Sequence, residues 1–570
     1  MLPGWWPMNV SLSRRRLLAM GIAVPFVPRA SSPLPPVPPP PGSSAFVSVA
    51  PSRLAETRVS IGAFGFSRID ANTIRVQIAG RNGVPANAIS AVLNVTVMNV
   101  AGPGFVTAYP AGNARPQASN VNVEQTGQVI ANLVTVRLGV NGSVDIFSSQ
   151  INDIVVDVNG AYVPVAAAVA GGRFVALESA YRAIDTRNRG YKVSIGGVER
   201  ISVGAVVPAG ATAVVVNLTI TETNGPGFWT AYPMGSALPN SSSLNADAVG
   251  QTRANQAIVP LGSSGGLFGI EVFASYGGHL IVDIAGYFTG DSAAASTVGL
   301  FVPNAPYRAL DTRLVALYGR LYPGWVAEFD FTGRAGAQAV VVNLTTTATR
   351  GPGFFTGYPA RTYRPLASNL NASYANQTIA NHAMLRCSTA GVAVFTQSGG
   401  ALIVDVAGYF TGIPLGAPLP APVNIPPPSQ MPYFLSIPAL GVAAAVVEGI
   451  TDDVVDAGYV GHWPGTGLAG QHGHMVLFAH RTKSTALFRN LHLLAVGDEI
   501  TISAADGRVY HYQYVWRQIT GEDSTEIYSA GLWAPLPSVS LVACSKANLL
   551  PTDTAYRLVV TFSLTYIEPG

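Results

Sequence analysis

Cysteine is nearly absent from this chain of 570 residues, charge is scarce, and no window carries a long helical period with caps. Two cysteines far apart, Cys387 and Cys544, exclude a disulfide scaffold and leave any patterned cysteine as a candidate nucleophile. Charged residues make up only 11% against 48% hydrophobic, which excludes wholesale disorder and leaves Ser, Thr and Asn to cover the surface. The net charge, 33 − 30 = +3, is too balanced to mark a phosphate-binding surface, so nucleic acid is not an expected partner. The balance is uneven along the chain. Residues 1–432 hold 26 basic and 18 acidic side chains (+8), and residues 433–570 hold 7 and 12 (−5), which marks the C-terminal segment as a different kind of domain. At about 100–200 residues per domain the length itself implies three to five.

The N-terminus reads as an export signal, residues 1–30. Ser13-Arg14-Arg15-Arg16-Leu17-Leu18 leads into the apolar run Leu17 to Val27, and a Pro-rich linker follows over residues 31–45. The Ser-Arg-Arg order resembles the twin-arginine export motif, which implies folded cargo. No other stretch reaches the ~18 apolar residues of a membrane-spanning helix.

A motif Arg-x-x-acid-Thr-Arg occurs at Arg53–Arg58, Arg182–Arg187 and Arg308–Arg313, with starts 129 and 126 residues apart. Each copy is followed by Asn-apolar-Thr (Asn94, Asn217, Asn343) and, 8 residues after the Asn, by Gly-Pro-Gly-Phe. Each closes on a strand around Asp157, Asp283 or Asp405. The runs between are short, β-branched and punctuated by Gly, Pro and Asn, which predicts three tandem β-sandwich or jelly-roll-like repeats over residues 46–165, 174–290 and 301–412. A period this long is a whole domain, so each repeat is expected to close its own core and the array to resemble beads on a string. The Arg-acid-Arg set reads as an ion-paired corner and Cys387 as a small packed side chain. The array resembles repeats of secreted surface proteins of actinobacteria, and a spacer or wall-polymer contact is its expected role.

Residues 413–432 are Pro-rich linker, expected not to pack. The remaining segment, 433–570, holds six of the eight histidines: His462, His472, His474, His480, His492 and His511. The run Met475–Ala479 ends at His480-Arg481-Thr482. Then come Phe488-x-x-Leu491, Gly497-Asp498, the strand Ser540–Cys544 and, 13 residues beyond the cysteine, Arg557 at the opening of the last strand. This order resembles the sortases, cysteine transpeptidases of bacterial surfaces. Ala479 stands where the family has Gly, and Ser540 and Ala543 where it has Thr, so a hydroxyl beside Cys544 is expected to be missing from substrate positioning. The resemblance implies a closed eight-stranded β-barrel, consistent with the strand-rich pattern.

A free thiol of pKa about 8.5 is mostly protonated at neutral pH, so it needs a partner to exchange its proton. By resemblance, Cys544 attacks a peptide carbonyl within a Leu-Pro-x-Thr-Gly-like sorting motif, His480 is general acid and base, and Arg557 orients and stabilises. An amine acceptor such as a peptidoglycan stem peptide or pilin lysine then resolves the thioester. No cofactor is called for. His472 and His474 with His462 lack a second clustered ligand set and read as loop histidines near the cleft. The rival expectation is a non-enzymatic surface protein with an inactive barrel. Leu550-Pro551-Thr552-Asp553-Thr554 does not match Leu-Pro-x-Thr-Gly, so the chain is not expected to be a sorting substrate itself.

Overall fold

The computed structural model describes residues 38–315, 319–422, 429–471, 473–483, 485–521, 537–545 and 555–568. The export segment, the middle of the second Pro-rich linker, His472 and the Leu550–Thr554 stretch lie outside them. The repeats fold as two-layer sandwiches. In the first, the strands Ser44–Glu56, Asp153–Pro164, Ser90–Met98 and Ile130–Arg137 form one layer and Thr73–Gln77, Ser143–Ser148, Gly104–Pro110 and Val121–Val123 are central to the other. The second and third repeat this order, with Ala213–Thr221 and Ala337–Thr347 in the place of Ser90–Met98. Each sandwich holds its own core.

The beads-on-a-string expectation is wrong. Alternation along Ser90–Met98 sends Ala91, Leu93, Val95 and Val97 into the core of repeat one, but Val92 on the opposite face enters a fourth core shared by all three repeats. Six aromatic rings close this core in a cycle. Phe46 stacks on Phe288 (centroids 4.1 Å), Phe174 packs on Phe410 (4.5 Å) and Phe301 on Tyr162 (4.3 Å), each pair bridging two different repeats. Polar residues on the same faces repeat the cycle. The Nδ2 of Asn94 donates to the Ser242 carbonyl of repeat two (2.7 Å), Asn217 to Ser368 of repeat three (2.6 Å), and Asn343 back to Ser119 of repeat one (2.7 Å). The strands beginning at Ser44 and Phe301 also pair, joining the first and third repeats in one sheet.

The glycine of each closing strand follows from this packing. A Cβ on Gly160, Gly286 or Gly408 would meet the ring of Phe46, Phe174 or Phe301 at 2.2, 2.6 and 2.6 Å. The Arg-acid-Arg motif forms an ion-paired corner in each copy: Arg53 on Asp157 and Glu56, Arg182 on Asp283 and Asp185, Arg308 on Asp405 and Asp311. Cys387 is fully buried, its Sγ donates to the Ala337 carbonyl (3.2 Å), and burial pushes its thiol up to about 12.

Both described ends of the second linker are docked, contrary to its composition. Leu415 exchanges backbone hydrogen bonds with Cys387 and Thr389, and the Leu419 amide donates to the Arg361 carbonyl. At the far end Ser429 is buried, with its hydroxyl on Asp506 and Tyr510 of the C-terminal domain. That domain is a closed barrel in the order Tyr433–Ile437, Val442–Glu448, Val460–His462, His474–Phe478, Ser538–Ser545, Tyr556–Glu568, Val509–Gly521, Glu499–Ala504. Two neighbouring pairs run parallel, Val442–Glu448 with Val460–His462 and His474–Phe478 with Ser538–Ser545.

Candidate active site

Strand alternation places the predicted residues on one surface. Met475, Leu477 and Ala479, together with Val539, Leu541 and Ala543 and with Leu558 and Val560, fill the barrel interior. Val476, Val542 and Val559 form a separate apolar patch on the outside, flanked by Phe478 and Trp463. His480, Cys544 and Arg557 are an even number of residues from Val476, Val542 and Val559, so all three belong to that outer face.

Register brings them level. Phe478 pairs in parallel with Val542, and the Ala479 amide donates to the Val542 carbonyl (3.4 Å). Two residues further on, His480 and Cys544 therefore leave the C-terminal ends of adjacent strands side by side. On the other flank Cys544 pairs directly with Arg557 in the antiparallel ladder. Cα partners of this kind hold their side chains about 5 Å apart. His480 and Cys544 are both 8% exposed, whereas Arg557 is half-buried, with its guanidinium 5.9 Å from the centre of the Phe478 ring.

Two further residues complete the site. Asp456 follows the short helix Asp452–Val455, and its carboxylate Oδ1 lies 2.6 Å from Nε2 of His480. Lys483 bonds both oxygens of the same carboxylate (2.7 and 3.0 Å), and this pairing, ahead of the histidine, holds Asp456 below the usual carboxylate range. With Nε2 committed to Asp456, Nδ1 is the ring nitrogen left for the thiol. Arg481 is fully buried and donates to the Cys544 carbonyl (3.3 Å), the Ser545 hydroxyl (3.1 Å) and the Arg489 carbonyl (3.2 Å). It ties the end of the cysteine strand to the segment that carries His480. Arg481 was legible only as the neighbour of His480, and Asp456 only as one acid in Asp452-Asp453-x-x-Asp456.

Residues 435–565 match the family model described as Sortase domain. The C-terminal barrel is a sortase-family domain. Among solved structures the chain is similar to the SrtA sortase from Actinomyces oris, with 21% identity over 26% of this chain and 89% of that one (TM-score 0.24). It is similar to sortase E1 from Streptomyces coelicolor, solved with a tripeptide in the active site, with 24% identity over 25% and 91% of the two chains (TM-score 0.23). It is also similar to a Clostridium perfringens sortase D5 transpeptidase, with 25% identity over 24% and 79% (TM-score 0.21). No curated protein matches the chain.

Within the sortase domain two sequence expectations change. Ala543 faces the barrel interior, opposite to Cys544, so a threonine there would not place its hydroxyl beside the thiol. Ser540 retains a hydroxyl, bonded in the buried sheet to Thr561 (2.7 Å). His462 and His474 are not loop histidines but buried strand residues with separate partners. His462 engages Glu448 (2.6 Å) and the Gly467 carbonyl (2.9 Å), and His474 engages Ser538 (2.9 Å), with burial lowering its pKa to about 4. Among the described residues, the one group spaced to hold a metal ion is Asp452, Asp456 and His480. Lys483 already neutralises the Asp456 carboxylate.

Proposed function

We propose that the protein is an exported sortase-like cysteine transpeptidase that cleaves a Leu-Pro-x-Thr-Gly-like sorting motif through a thioester on Cys544 and transfers the acyl group to a cell-wall or protein amine. The observation that carries this reading is the alignment of Cys544 between His480 and Arg557 on the outer face of a sortase-family barrel. In the acylation step the Cys544 sulfur attacks the peptide carbonyl. His480 takes the thiol proton and returns it to the departing amine as the C–N bond breaks. Arg557 has fixed donors and a permanent charge to receive the developing oxyanion. The thioester conserves the energy of the cleaved bond, so an incoming amine that gives its proton to His480 forms a new amide without an external energy source. Residues 1–30 serve as the export signal that delivers the chain to the outer face of the membrane or the wall.

The test is to offer the full chain Leu-Pro-x-Thr-Gly-like peptides with and without an oligoglycine, diaminopimelate-type or lysine amine. The expected result is a Cys544 acyl adduct by mass spectrometry and an amide product that depends on the amine. Free acid with every amine would leave a hydrolase, and no adduct with any peptide would favour a non-enzymatic surface protein.

A further inference from the structure

The three motifs that recur in every repeat have no part in the sortase site, yet the fold gathers them at one place. At the junction of the second and third repeats lies an open cleft of about 170 Å3. Arg182 and Arg187 come from the Arg-acid-Arg motif of repeat two, Thr221 from the end of its strand Ala213–Thr221 and Thr252 from the residue before Arg253–Pro260. Phe354 comes from the Gly-Pro-Gly-Phe segment of repeat three and Asn371 from the strand beyond. The chemistry of this lining is specific. Arg182 and Arg187 are matched by Asp185 and Asp283, so the wall is polar but carries no net charge. Arg187 bonds Asp185 through Nε and Nη2, which leaves Nη1 without a protein partner on a side chain 45% exposed. Asn371 accepts from Ser368 through Oδ1 (3.2 Å), and its amide Nδ2 makes no protein bond. The hydroxyls of Thr221 and Thr252 bond each other (2.6 Å), and each retains capacity for a second bond. The half-buried ring of Phe354 adds an aromatic face.

We infer that this cleft binds a neutral carbohydrate. A pyranose presents polar edges and an apolar face, which suits free amide, guanidinium and hydroxyl groups beside an aromatic ring. The balanced charge disfavours an anionic polymer, which would need unpaired cations. The junction of repeats three and one repeats the set with Arg308, Arg313, Phe105, Asn122 and a Thr347–Thr378 hydroxyl pair (2.8 Å). At the junction of repeats one and two, Met98 and Val129 occupy the positions of that threonine pair. A second, similar set of side chains at the next junction, which differs in carrying Glu124 on Tyr374 and Thr378, favours a repeating polymer, because a second engagement would be intramolecular. This inference does not use Cys544 and stands or falls apart from the transpeptidase reading.

The full chain is titrated calorimetrically with a β-1,4-linked N-acetylglucosamine hexasaccharide, with galactan and arabinan oligosaccharides, and with polyphosphate as the anionic control. At least one neutral oligosaccharide is expected to bind with Kd below about 1 mM. Asn371→Ala and Phe354→Leu should each weaken binding at that cleft about tenfold, and Arg187→Lys should do the same, at unchanged Tm and unchanged Cys544 acylation. Binding of polyphosphate alone, no neutral ligand below that Kd, or equal affinity in the folded cleft variants would overturn the site.

Discussion

Cys544 is held by its neighbours as much as by its own strand. Arg481 anchors its carbonyl, and Asp456 fixes which nitrogen of His480 is available to the thiol. Asp456 is exposed and makes no contact with the reacting atoms, so we assign it as a positioning residue. Asp456→Asn is expected to lower kcat/KM for peptide cleavage by about tenfold to a hundredfold with little change in Tm, the size of a partial loss of general acid–base catalysis. A variant with full activity would show that His480 finds its orientation without the carboxylate. Cys544→Ala should abolish adduct and turnover. Arg557→Ala should reduce turnover by about two to three orders of magnitude if its guanidinium meets the oxyanion, while simple loss of a strand-end contact would leave the rate nearly intact.

Strands such as Ala213–Thr221 and Ala337–Thr347 are buried on both faces, one against their own sandwich and one against the next repeat. Their stability therefore depends on side chains that a free sandwich would leave in water. Asn217→Ala should cost about 1–3 kcal/mol in chemical denaturation, because the Ser368 carbonyl loses its partner at a buried junction. Tyr162 offers the opposite sign. Its hydroxyl is buried without a partner in the aromatic cycle, where Phe288 and Phe410 hold the equivalent places. Tyr162→Phe is expected to stabilise the fold by about 1 kcal/mol, read as a higher midpoint, and a lower midpoint would mean that the hydroxyl is satisfied in solution.

At the scale of the whole molecule, two buried imidazoles make stability depend on pH. His382 sits in the shared interface between Gln256 and Thr135 (2.9 Å each), and burial lowers its pKa to about 3. His474 in the barrel is lowered to about 4. Both are neutral when folded but titrate near pH 6.5 when unfolded, so the unfolded chain gains protons first as pH falls. Their contribution is complete above about pH 6.5 and is lost progressively on acidification towards those lowered values. Tm should fall between about pH 6.5 and 4.5, and His382→Gln, which copies Gln256 at the equivalent position, should flatten that slope. An unchanged slope would place the pH dependence elsewhere. The barrel has its own core, so residues 429–570 should fold alone, and 433–570 less well because Ser429 and its bonds to Asp506 and Tyr510 are lost. Deleting one repeat should expose the shared aromatic core and cause aggregation, detectable by light scattering.

The local pattern in the chain was enough to determine much of this. Period-two runs broken by Gly and Pro dictated strands, the recurring Arg-acid-Arg corners marked three copies of one domain, and the ordered His480, Cys544 and Arg557 segments carried the resemblance to sortases that implied the barrel. These features are short-range, and their physical cause acts within a few residues. The tertiary structure alone decided where the second face of each strand goes. Asn94, Asn217 and Asn343 look like solvent-facing residues of independent sandwiches, and only the closing of three domains on one axis turns them into a buried hydrogen-bonded cycle. In the same way Asp456 lies 24 residues before His480, and Arg481 lies 63 before Cys544. Neither separation carries a periodic signal, because these contacts form only when the barrel closes and brings a helix end and strand ends together.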